Sequence, residues 1–116
     1  MTREEYREYC LAKKGVTEDF PFDETTVVYK VGGKIFTLAG TDFKRINIKC
    51  QPVEAVILRD IYPSVISGYH MNKQHWNTVI IDGSIKDELI YRWLDDAYDL
   101  VAARLTKSQR QSIDRL

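Results

Sequence analysis

The sequence predicts an α+β domain, an antiparallel β-sheet with helices packed on one face, and the spacing of its apolar residues predicts it. Near the start and in the last third of the chain these residues recur every three or four positions, but from position 25 to 49 they recur every second position. The first period belongs to helices and the second to strands. The strand-like runs follow one another across a Gly-Gly pair, with the helices set apart from them, which is the pattern of hairpins and not of parallel β-α-β units. A chain of 116 residues forms one domain, residues 1–116, and buries roughly two thirds of the surface its unfolded form exposes. Such a core needs neither a disulfide nor a metal.

The elements follow in order. Thr2 and Glu5 form a capping box, so a helix starts there, and Tyr6, Tyr9, Cys10 and Lys13 give it one stripe that ends at Gly15. "FPFDETT" reads as an ordered loop whose Phe20 and Phe22 plug the core. "TTVVYKV" and "KIFTLAG" are two strands, and Gly32-Gly33 supplies the positive φ of the tight turn between them. In "RINIK", a third strand of the meander, Ile46 and Ile48 face one way and Arg45, Asn47 and Lys49 the other, giving a wet, basic face. Pro52 suits the first position of a second helix, with Val53, Val56, Ile57 and Ile61 as its buried stripe and Tyr62-Pro63 as its end. One or two strands come next, a weaker one in "SVISGY" and a clearer one in "WNTVIID". Ser84 is placed as the N-cap of a long helix, with Asp87 and Glu88 near its positive end. Ile90, Trp93, Leu94, Ala97, Tyr98, Val101 and Leu105 form the apolar side of that helix. A short, basic C-terminal helix begins at Thr106 or Ser108.

The apolar share of 44% and charged share of 29% are those of a soluble protein. No apolar run reaches the ~20 residues of a membrane helix, and Thr2, Arg3, Glu4 and Glu5 do not open a secretory leader. A cytoplasmic location without membrane partners is expected. Cys10 and Cys50 form no CxxC pair and read as plain reduced thiols. Lys and Arg total 17, as do Asp and Glu, so the net charge is zero, which removes the general argument for nucleic-acid binding. The distribution restores part of it. Residues 1–24 carry four Lys/Arg against seven Asp/Glu, whereas residues 25–50 carry Lys30, Lys34, Lys44, Arg45 and Lys49 against Asp42 alone.

Both histidines fall within "GYHMNKQHW", residues 68–76. As a metal pair they are poorly spaced: His70 and His75 are five apart where a helical pair is four apart, and no Cys, Asp or Glu lies between them. No cofactor is expected. Catalysis finds no GxSxG, phosphate loop or paired-carboxylate pattern, and the chain is not expected to be an enzyme. Two readings remain open. In one the stretch is a packed loop: Trp76 enters the core, Tyr69 packs nearby, Asn72 takes a tight conformation and an imidazole bonds the backbone. In the other Tyr69, Lys73 and His75 point outward and offer a stacking face, a charge and a donor to an anionic partner.

The sequence resembles the MmcQ/YjbR family of small bacterial proteins, through "GVTEDFPFD", "VYKVGGKIFTLAG", "YHMNKQHWNTVIIDG" and "LDDAYDLV". The third of these is the most specific, and its motif residues are Tyr69, His70, Asn72, Lys73, His75 and Trp76. Lys14-Gly15 stands where Pro-Gly is expected, and Asp23 where Gly is common, which touches loop geometry only. The resemblance implies a CyaY/frataxin-like α+β fold and DNA binding through a "double wing" of β-hairpins. Carried onto this chain, one wing is the Gly32-Gly33 hairpin with Lys30 and Lys34, and a further contact involves Lys73 and His75. With Arg45 and Lys49 these residues make a weak, phosphate-directed DNA contact the first expectation. The alternative is a protein- or metal-interaction module of frataxin-like fold that uses Glu4, Glu5, Glu8, Glu18 and Asp19.

Overall fold

Thr2 opens the first helix with the expected capping box: its hydroxyl accepts from the Glu5 amide, and the Glu5 carboxylate accepts from the Thr2 amide. The computed structural model describes all residues, 1–116. Helix α1 (Arg3–Leu11) buries Tyr6 and Cys10, and Gly15 follows at φ +74°, turning the chain into strand β1 (Val16–Asp19). Three strands form the predicted meander, β2 (Thr26–Val31), β3 (Lys34–Gly40) and β4 (Arg45–Lys49). Helix α2 (Pro52–Ile61) then leads to the short β5 (Val65–Ser67) and to β6 (Trp76–Ile80), and helices α3 (Asp87–Ala102) and α4 (Lys107–Asp114) end the chain. All strand pairs are antiparallel, in the order β1-β2-β3-β4-β6-β5.

Strand alternation assigns the two faces of this sheet. Val27, Tyr29, Val31, Ala39, Ile46, Ile48, Val65 and Val79 meet Tyr6, Cys10, Leu58, Ile90, Trp93, Leu94, Ala97 and Val101 in one core, so α1, α2 and α3 cover the same face. A register shift between Tyr29 and Lys30 gives β3 one extra residue, which turns Phe36 toward this core, where its ring meets Tyr98 edge-on. Tyr6 reaches across from α1 and shares a hydrogen bond of 3.0 Å with Thr37. Gly32 at the hairpin tip is required twice over. It sits at φ +58°, and a Cβ there would lie 2.6 Å from Leu105 Cδ2.

Several expectations fail for identifiable reasons. Phe20 and Phe22 do not plug the core; they are 40% and 68% exposed, because pairing of Val16–Asp19 with β2 carries the following loop past the sheet edge. Helix α2 shows the opposite face to the one predicted. Val53, Val56, Ile57 and Ile61 are exposed, and Ala55 and Leu58 are buried instead. The small Ala55 lets the helix backbone approach the sheet closely enough for its carbonyl to accept from Asn77 Nδ2 at 3.2 Å. Ser84 does not cap the long helix, which starts at Asp87 with Lys86 before it and no side-chain cap. The Ser84 hydroxyl is engaged by Asp82 and Ser64. The short last helix is capped by Thr106, with Gln109 completing the box.

Candidate nucleic-acid interface

The face of the sheet that carries no helix is built from alternate residues of the same strands. On β4, Ile46 and Ile48 enter the core, and Arg45, Asn47 and Lys49 therefore stand on the open side, paired with Ile80, Thr78 and Trp76 of β6. Val28, Leu38 and Trp76 form a small apolar cluster there, with Ile35 and Met71 against it. Trp76 is buried, as expected, but in this second cluster and not in the main core.

Met71 belongs to the loop of residues 68–75, so the histidine-containing stretch closes over the open face. The fit is tight: a Cβ on Gly68 would lie 2.8 Å from the Trp76 Cβ and 3.0 Å from the Met71 Cβ. The Tyr69 amide donates to Thr78 Oγ1 at 2.8 Å, and that hydroxyl donates to Asn47 Oδ1. Asn72 accepts from the Gln74 amide, but the left-handed residue of the loop is His70, at φ +57°, and not Asn72. The bonds at His75 run through its backbone, to Asn72 and Cys50, and not through either imidazole.

The cations of this region differ in how free they are. Lys30 pairs with Asp19 at 3.2 Å. Lys73 folds back to donate to the Gly68 carbonyl, while Arg59 of α2 donates to the Lys73 carbonyl. The Arg45 guanidinium lies 4.8 Å from the centre of the exposed Tyr69 ring, and the Lys49 ammonium 5.3 Å from the Trp76 ring. Neither Arg45 nor Lys49 nor Lys34 has a carboxylate partner; the ion pairs are Met1–Asp87, Arg7–Glu18, Lys13–Asp95 and Lys30–Asp19. Partial burial, then the charges of Arg104 and Lys34, pull the Lys49 ammonium below its ordinary range. Arg104 follows α3 and reaches this group only through the tertiary fold, so no signal in the sequence links it to Lys49. The Tyr69–Thr78–Asn47 chain was open to inference in part, since Asn47 and Thr78 share a strand parity with Arg45 and Trp76.

No three His, Cys, Asp or Glu side chains gather where they could hold one metal ion. Burial pushes the Cys10 thiol up to about 12 and the Cys50 thiol up to about 11. Both stay protonated near neutral pH and are poor nucleophiles. No helix is long and apolar enough to cross a membrane.

Known proteins resemble the chain over its whole length. The YjbR family model matches residues 11–100. The uncharacterised protein YbdF of Escherichia coli O157:H7 is 37% identical over 81% of this chain and 79% of its own. YjbR of Escherichia coli strain K12 is 31% identical over the full length of both. Among solved structures, a Deinococcus radiodurans protein with a DUF419 domain superposes with a TM-score of 0.90 at 35% identity, covering 97% of this chain and 88% of that one. A Pseudomonas syringae protein gives 0.74 at 26% identity, over 87% and 99%. With its fold matched and its sequence covered from the first helix into the long one, the chain belongs to the YjbR family.

Proposed function

We propose that this protein is a non-enzymatic binding module that takes DNA weakly, through phosphates, on the open face of its sheet. The observation that carries the reading is the pair Arg45 and Lys49 on the open side of β4, two cations with no carboxylate partner, set against the exposed Tyr69 ring and the Trp76 ring. Lys34 and Arg104 add positive charge near Lys49. Unpaired cations beside aromatic rings suit a phosphate backbone and its bases. The acidic residues of α1 and α3, among them Glu4, Glu8, Asp96 and Asp99, lie on elements that cover the opposite face, which separates them from an incoming strand. Of the acids in the alternative interaction surface, Glu5 is in the capping box, Glu18 is bound by Arg7 and Tyr29, and Asp19 by Lys30. That leaves Glu4 and Glu8 for a partner, and the DNA reading is favoured.

Binding in the micromolar range or weaker is expected at physiological salt, with a logarithmic salt slope of about −0.9 per phosphate contacted. Fluorescence anisotropy with labelled single-stranded and duplex DNA tests this. Arg45→Glu combined with Lys49→Glu should abolish binding, and Lys34→Glu with Arg104→Glu should weaken it and flatten the slope. Absence of binding at low salt, or binding indifferent to both double reversals, would remove DNA as the ligand of this face.

A further inference from the structure

On the other side of the sheet, α2 and α3 stand apart over β4, β5 and β6 and leave a cavity of about 610 Å³ between them. Its walls are apolar, from Leu58, Val65, Val79, Trp93 and Leu100, and its volume is that of sites for small organic molecules. Asn77 lies in this lining. The residue is only 2% exposed, and its Nδ2 is used by the Ala55 carbonyl, while its Oδ1 has no hydrogen-bond partner at all. A buried acceptor left unsatisfied in this way is uncommon and asks for an explanation. The rim adds a second constraint. Glu54 on α2 and Asp96 and Asp99 on α3 line the cavity, and none of them is in an ion pair. Lys49 is the one cation in the lining, and its ammonium is held over Trp76 on the opposite face of the sheet.

We infer that this cavity is a binding site for a small amphipathic amine, whose apolar body lies against Leu58, Trp93 and Leu100. Its ammonium faces Glu54, Asp96 and Asp99, and a hydroxyl or N–H at its far end donates to Asn77 Oδ1. Each part answers one observation: the apolar walls, the three unpaired carboxylates and the orphan acceptor. Oδ1 is closed to solvent in this structure, so the donor reaches it as α2 shifts outward. That helix buries two side chains, Ala55 and Leu58, against the sheet, and the shift gives up the bond from Asn77 Nδ2 to the Ala55 carbonyl. The site does not rest on the open-face DNA reading, and Lys49 is the one residue of that reading that also borders the cavity.

Tyramine is a suitable probe, having a ring, an ammonium and a phenolic donor at the far end. Titrated into the isotopically labelled protein, it should shift the amide signals of Ala55, Leu58, Asn77 and Leu100 and the Trp93 indole, and leave Arg45 and Tyr69 unmoved. Phenethylamine, which lacks the donor, should bind on the order of tenfold more weakly, because it leaves Asn77 Oδ1 unpaired. The carboxylate analogue 3-(4-hydroxyphenyl)propionate should bind more weakly still. Asp96→Asn with Asp99→Asn, both exposed and safe for folding, should weaken tyramine about tenfold and narrow the preference for amine over acid. No saturable shifts around the cavity would overturn the inference, as would equal binding of amine and carboxylate or shifts confined to the open face.

Discussion

Replacing Trp76 by alanine tests what the histidine-containing stretch does for the fold. The indole is 7% exposed and packs with Val28 and Leu38, while the 68–75 loop closes over it through Met71. Truncating a buried Trp typically costs about 3–5 kcal/mol. Because this cluster is small, the lower half of that range is expected here. Trp76→Ala keeps the Cβ and carbonyl that Gly68 approaches, so the loss is that of the indole's packing. The two imidazoles are different: His70 is exposed and His75 half-buried, and neither makes a hydrogen bond. Their alanine variants should therefore stay within about 0.5 kcal/mol of the parent. With a urea dependence of about 2 kcal/mol per molar for a domain of this size, Trp76→Ala should lower the midpoint by about 1.5–2 M, and either histidine variant by about 0.25 M or less. Equal losses from tryptophan and histidine in paired urea melts would refute the reasoning and mean that the imidazoles form a coupled buried network.

Three further outcomes are expected. Ala at Gly32 or Gly33 meets a left-handed backbone, costing about 1–2 kcal/mol, but only at Gly32 must the new methyl displace Leu105, whereas Gly33 has open space. Thermal melts should rank Gly32→Ala as the more damaging by about 1–3 kcal/mol. Burial pushes the Glu18 carboxyl up, but hydrogen bonds from Arg7 and Tyr29 outweigh it and hold the group below its ordinary value of 4.5. Its contribution is thus present above that value and lost as the pH falls through the depressed one. The gap in melting temperature between the parent and Glu18→Gln should be widest near neutrality and close in acid; a gap that widens in acid reverses the sign. On α2, Val56→Lys with Ile57→Lys should be nearly neutral, within about 0.5 kcal/mol per site, while Leu58→Ala should cost about 2–3 kcal/mol. An unfolded double-lysine variant would mean that the stripe read from the sequence is the buried one after all.

That contrast on α2 shows where the sequence stops being legible. The Gly32-Gly33 hairpin could be read because its information is local: period-two alternation on both sides and a pair that supplies positive φ. The alternation of β4 likewise placed Arg45 and Lys49 on one face with no knowledge of the rest of the chain. Helix α2 carries two apolar sides, and the larger, Val53-Val56-Ile57-Ile61, looks like a core stripe. The side that packs was decided by the close approach of Ala55 to β6, a tertiary fact with no local trace. Strand β1 was missed for a related reason, because "VTED" has little β-propensity and exists as a strand through its pairing with β2. The cavity beneath α2 was invisible for both reasons together, since Asn77 alternates into the helix side of β6 while Leu100 and Asp96 arrive from a distant helix.

The resemblance rests most heavily on residues 69–76, and their structure separates two kinds of cause. Gly68, Met71 and Trp76 are explained by packing, as is Thr78, whose hydroxyl anchors the loop at Tyr69. His70 is not. Its left-handed backbone costs on the order of 1 kcal/mol relative to glycine, and neither burial nor a hydrogen bond offsets that cost. If the position served only the turn, glycine or asparagine would serve it with less strain. What the histidine adds is a ring 4.1 Å from that of Tyr69, the same tyrosine that stands beside the Arg45 guanidinium. The strained residue thus sets its ring at the aromatic end of the unpaired cations of β4, the place where the proposed anionic partner would lie.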